Sequence, residues 1–219
     1  MTHTDGAHDG AMRRHPAQRR IGYALLALAA GAALLLFFLP AEKTLGGVIK
    51  IVLLHGALVQ AGLFSFAAAG LLGALYLLTR REGAIAWCAA AQKAALAVWA
   101  VYVVSSMAAT YLAWGQLIAW DEPRVRASAY VLLLAATCLL IVWWVRDRVF
   151  TALVNVAAAA AVYALVKGVS VVRHPLDPIG ASTSVAYRLA SPALLLILLV
   201  MAALLAWTWR LRGGIRGEE

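Results

Sequence analysis

Charge is scarce in this sequence. Lys, Arg, Asp and Glu make up 13% of its 219 residues, about half the fraction expected of a soluble domain. With 64% hydrophobic residues and a mean hydropathy of +0.84, a water-soluble core is excluded as the home of most of the chain. Cysteine is almost absent. Cys88 and Cys138 are the only two, without CxxC spacing or a paired histidine, which argues against metal or redox chemistry at either. Their expected role is small apolar filler. Strict polar–apolar alternation is missing too. Membrane-spanning backbone must be helical or a closed barrel, and continuous apolar runs select helices. There is no internal repeat. The first apolar run ends in Phe37-Phe38-Leu39-Pro40 without a small-residue cleavage pattern, so it reads as a retained helix and not a signal peptide.

What is present is long apolar sequence. Six runs stand out, at about 21–39, 48–78, 88–113, 127–145, 149–172 and 187–209. A bilayer needs about 20 residues per span, and the second run is long enough to tilt or to extend beyond the core. The expectation is an all-α polytopic membrane protein, a bundle of six transmembrane helices over residues 21–209. A tail at 1–20 and another at 210–219 flank it. The fourth and fifth runs are joined only by Arg146-Asp147-Arg148, a tight helical hairpin.

The net charge of +9 does not indicate nucleic acid, because the cations sit in short clusters between apolar runs and report topology. Six spans put both termini on one side. Twelve of the nineteen Lys and Arg fall on that side; Lys43, Lys50, Arg124, Arg126, Lys167, Arg173 and Arg188 fall on the other. The excess predicts cytoplasmic termini. The N-terminal tail has no periodicity and reads as disordered. Its His3, His8 and His15 form at most a loose metal cluster, and a solvated tail is the simpler reading.

The connections opposite the termini hold the unusual residues. His55 follows Lys50-Ile51-Val52-Leu53-Leu54 near the start of the second span. An ionisable group there faces a bundle interior or cavity, or bonds a neighbouring carbonyl. Trp114-Gly115 and Trp120-Asp121 bracket the third connection. An interfacial aromatic belt explains the tryptophans; a platform of aromatic faces and a carboxylate for a planar ligand explains the whole set. His174-Pro175 is expected to close the fifth span, where proline stops a helix. Lys167, seven residues earlier, is expected on the same helical face, in the same cavity or snorkelling to the interface. His55 and His174 are the only histidines beyond residue 15. Two imidazoles from different helices can ligate a haem iron from both sides, and Lys50, Arg124 and Arg173 on the same face could neutralise its propionates.

These residues resemble the CcmC/CcsA haem-handling membrane proteins of cytochrome c maturation, most closely the CcmC type. The resemblance rests on the Lys50–His55 stretch, the WG-x4-WD spacing of Trp114-Gly115 and Trp120-Asp121, His174-Pro175, and Tyr187-Arg188-Leu189-Ala190-Ser191-Pro192 at the last span. It covers about residues 21–209. Leu117 and Ile118 stand where family members have further tryptophans, and Gly56-Ala57 stands where Val-Pro usually follows the first histidine. No tryptophan pair precedes His174.

The resemblance implies non-covalent b-type haem on His55 and His174, with Trp114, Gly115, Trp120 and Asp121 as the platform. It implies haem delivery in a bacterial or archaeal inner membrane, with no chemistry at a substrate and hence no enzyme. The implied partners are membrane lipid, a periplasmic haem chaperone, a small membrane subunit and an ABC-type transporter. The alternative is a diverged subunit of a respiratory or transport complex, with haem lost or used for electron transfer. A solute transporter is disfavoured by the clean spans.

Overall fold

The computed structural model describes residues 16–43, 45–170, 172 and 184–215, the side chains of 213–215 excepted. Six helices follow in order: α1 (Pro16–Phe38), α2 (Ile49–Thr79), α3 (Glu82–Trp114), α4 (Pro123–Val145), α5 (Arg148–Lys167) and α6 (Val185–Ile215). All six are long and apolar enough to cross a membrane. Among the described residues no strand forms, apart from an isolated bridge between Glu42 and Gly46. The chain is an all-α, multi-pass membrane bundle.

Polar sequence extends these helices past their apolar runs. α1 begins at Pro16 and α6 reaches Ile215, so residues 16–20 and 210–215 are helical and not part of the expected tails. Proline suits a first helical turn, and arginine is a good helix former. Residues 1–15 lie outside the described residues, His3, His8 and His15 with them. At the fifth span the difference runs the other way. α5 stops at Lys167, well before the end of the apolar run at 172. Gly168 and then three β-branched valines in four residues favour leaving the helix. The fifth span therefore ends at the exposed Lys167, and His174 lies outside the described residues.

The two tight turns on the terminal side share one design. Arg80 and Arg146 each adopt left-handed geometry (φ 54° and 55°), donating their N–H groups to Tyr76 O and Val142 O. An extended residue then starts the next helix. Asp147 caps α5 by accepting the Phe150 N–H at 2.7 Å, and a Glu82–Arg148 ion pair at 2.7 Å ties the two turns together. The expected Arg146-Asp147-Arg148 hairpin is thus realised.

α2 is the central helix, packed on α3, α5 and α6, whereas α1 sits at the periphery and leans chiefly on α6. Lipid supplies no hydrophobic force between helices, so close approach depends on small residues. α2 presents Ala57, Ala61, Gly62, Ser65, Ala69, Gly70 and Gly73, all buried. A Cβ built on Gly62 would lie 2.7 Å from the Trp99 ring, and one on Gly73 would lie 2.8 Å from the Ala152 carbonyl oxygen. The Trp99 ring can shift, but the α5 backbone has far less room to do so. Gly73→Ala is expected to destabilise the bundle by about 1–3 kcal/mol through overpacking. Gly31→Ala, where nothing lies within 4 Å, should be neutral or stabilise by up to about 1 kcal/mol. Thermal unfolding in detergent checks the pair, and equal effects would refute the assignment.

Candidate functional site

The bundle end opposite the termini gathers the ends of α1, α3 and α5 and the starts of α2, α4 and α6. His55 lies six residues into α2, about 9 Å along its axis, and is half-buried. Its ring stacks on Tyr102 of α3, with centroids 4.8 Å apart and planes 29° from parallel. Tyr102 in turn lies 2.8 Å from the Ser128 hydroxyl of α4. The single Ser128 proton goes to Arg124 O at 2.8 Å, so Tyr102 is the donor to Ser128. Trp99 packs against Tyr102 at 4.6 Å and donates its indole N–H to Ser128 O at 3.0 Å. A continuous array thus runs from His55 across α3 to the first turns of α4. Every member except half-buried His55 is itself buried.

The array ends beside the connection bracketed by the tryptophans. Trp114 is the last residue of α3 and half-buried. Gly115 caps the helix at φ 69°, donating to Tyr111 O at 2.9 Å. That left-handed conformation accounts for the glycine, and nothing approaches its would-be Cβ within 4 Å. The buried Thr110 hydroxyl anchors the loop, 2.9 Å from Leu117 O. Above it, Leu117, Ile118 and Trp120 are exposed, and so is Asp121. The loop therefore displays an apolar surface with a carboxylate at its edge.

The cations divide. Lys50 donates to Phe37 O at 2.7 Å and stands 5.8 Å from the Phe37 ring. It caps the end of α1, so any role with propionates requires it to exchange that partner. Arg124 is half-buried in the first turn of α4. Arg173 and His174 lie outside the described residues. Among the described residues, no three His, Cys, Asp or Glu side chains form a metal-binding cluster. Both cysteines are free thiols; Cys88 is buried and donates to Ala69 O at 3.3 Å.

Two features of the site were not anticipated. One is the Trp99–Tyr102–Ser128 array beneath His55. The other is Glu122, which is 0% exposed while its neighbour Asp121 is exposed. Glu122 occupies the N-cap of α4 but its side chain does not cap that helix. One carboxylate oxygen lies 3.5 Å from the Val172 N–H, at the edge of hydrogen-bonding range. This contact ties the α3–α4 connection to the chain that leaves α5. His55, Trp114, Asp121 and Glu122 all have interaction partners.

These residues offer a half-buried imidazole and, at the same end of the bundle, an apolar, aromatic loop surface. An imidazole is a donor of the type that haem iron accepts. No protein-family model matches the chain, and no curated protein matches it in sequence.

Proposed function

We propose that this protein binds haem at the membrane face opposite its termini and passes it on during cytochrome c assembly. The observation that carries the reading is the His55 imidazole, half-buried near the mouth of the bundle and oriented by the Tyr102 ring. A stacked aromatic neighbour restricts the plane of the imidazole. His55 and His174 would hold the haem iron. Trp114, Gly115, Trp120 and Asp121 would form the platform, and Lys50, Arg124 or Arg173 would face the propionates. When bound, haem supplies an iron centre whose properties follow its axial ligands; the chain's own part is to ligate, orient and release it.

The excess of cations on the terminal side supports cytoplasmic termini, and hence a site on the outer face of an inner membrane. The resemblance in the WG-x4-WD spacing supports delivery to a periplasmic chaperone, with a small membrane subunit and an ABC-type transporter as further partners. The role is carriage and not catalysis.

One observation favours a second reading. The His55–Tyr102–Ser128 array joins α2, α3 and α4, which is also what a purely structural histidine in a diverged complex subunit would do. The absorption spectrum of the protein, purified in mild detergent after haem-replete expression, decides between them. A Soret band is expected; its absence would sink the haem reading and leave the structural one.

A further inference from the structure

Buried hydroxyl and amide side chains in these spans mostly settle their hydrogen bonds within their own helix. Ser65 donates to Ala61 O at 2.7 Å, Thr151 to Asp147 O at 2.7 Å, and Asn155 to Thr151 O at 2.9 Å. Gln92 is the exception. It is 3% exposed, and neither its Nε2 nor its Oε1 has a hydrogen-bond partner. It lies ten residues into α3, about 15 Å from the terminal-side end of the helix, at membrane depth. An amide left unsatisfied in such surroundings costs several kcal/mol.

Its position on the helix shows what it faces. Ile85, Cys88, Gln92, Ala95, Trp99 and Tyr102 are all buried on α3 and recur at alternating three- and four-residue steps. They form one seam, and the seam looks at α2. Cys88 donates to Ala69 O of α2, and Trp99 packs on Gly62 and Phe66 of α2. Gln92 lies between these contacts and therefore opposite the Ser65–Phe66 turn. The Ser65 hydroxyl, its proton committed to Ala61 O, still has acceptor capacity. Ala91 and Ala95 beside Gln92 are buried and small.

We infer that Gln92 is the anchor of an internal hydration site in the α2–α3 seam, holding one or two water molecules within the membrane-spanning part of the bundle. A primary amide offers two donors and an acceptor. Water matches both functions, and buried waters characteristically serve polar groups left unsatisfied by the protein. The near-complete burial of Gln92 admits nothing much larger. This site lies on the terminal side of His55 in the same α2–α3 interface, and it does not depend on haem.

Hydroxyl-radical footprinting of the full-length protein in detergent tests it. Radicals generated at bound water label the nearest reactive side chain, here Cys88, one turn from Gln92 on the same seam and 0% exposed. Wild-type Cys88 is expected to be labelled well above the unirradiated background despite its burial. Gln92→Met, similar in length but unable to hold water, is expected to cut that rate at least fivefold and leave Cys138 of α4 unchanged. Background labelling of Cys88 in the wild type would overturn the inference, whether or not the variant folds. An unchanged or higher Cys88 rate in a monodisperse Gln92→Met protein would overturn it as well.

Discussion

His55→Ala protein, purified after haem-replete expression, is expected to lose haem about 100-fold more readily than wild type, with its Soret band absent or residual. Removing a group that merely orients a metal ligand costs 10–100-fold in affinity, so removing the ligand itself should meet or exceed the top of that range. The fold should survive. His55 is half-buried, and its packing is the stacked contact with Tyr102; such ring pairs contribute about 0.5–1.5 kcal/mol beyond area burial. Tyr102→Phe keeps the ring and gives up only the bond to Ser128. It should retain most of the band at a stability cost of about 1 kcal/mol. Haem retained in full by a folded His55→Ala variant would remove His55 from the site. Haem retained by both His55→Ala and His174→Ala would remove the ligand assignment altogether.

The helices were legible because membrane burial writes itself into local sequence. Each span needs about 20 apolar residues, and six such runs stand between clusters of charge. The polar ends of α1 and α6 were not legible, because lipid contact stops where the helix need not. The end of α5 was missed for a related reason: Val169, Val171 and Val172 are as apolar as the helix before them, and hydropathy cannot distinguish a β-branched exit from a continuing span. Within the site, the location of His55 and of the Trp114–Asp121 loop at one end followed from topology. Their supports did not. Trp99, Tyr102 and Ser128 meet His55 only through packing between helices, and in sequence they look like ordinary span residues. Gln92 was legible only as a polar residue in an apolar run; its isolation from every partner is a property of the assembled bundle.

The clearest such case is the acidic pair that opens α4. Read as sequence, Asp121 and Glu122 are interchangeable, and the Trp-Asp spacing draws attention to the first. In the fold the first is exposed and the second is 0% exposed. Glu122 does not perform the capping role open to an acidic residue at that position, although a carboxylate there still gains from the positive end of the helix dipole. It reaches instead toward the Val172 N–H, across to the chain that leads on to His174. Glu122→Ala removes the buried carboxylate, its contact with the Val172 N–H and its packing together. The expected loss is about 3 kcal/mol, the upper end of the usual range for a single substitution, because packing at a fully buried site and a polar contact go together. At 2–4 °C per kcal/mol for a chain of this size, the unfolding temperature should fall by about 6–12 °C. Glu122→Gln keeps the shape and an acceptor oxygen and should lose about half as much. Asp121→Ala, at an exposed position, should stay within about 0.5 kcal/mol of wild type. Thermal unfolding of the three variants in one detergent measures the contrast. If Asp121→Ala proves the more damaging, the carboxylate that holds this end of the bundle together is the one the Trp-Asp spacing pointed to, and Glu122 is only packed there.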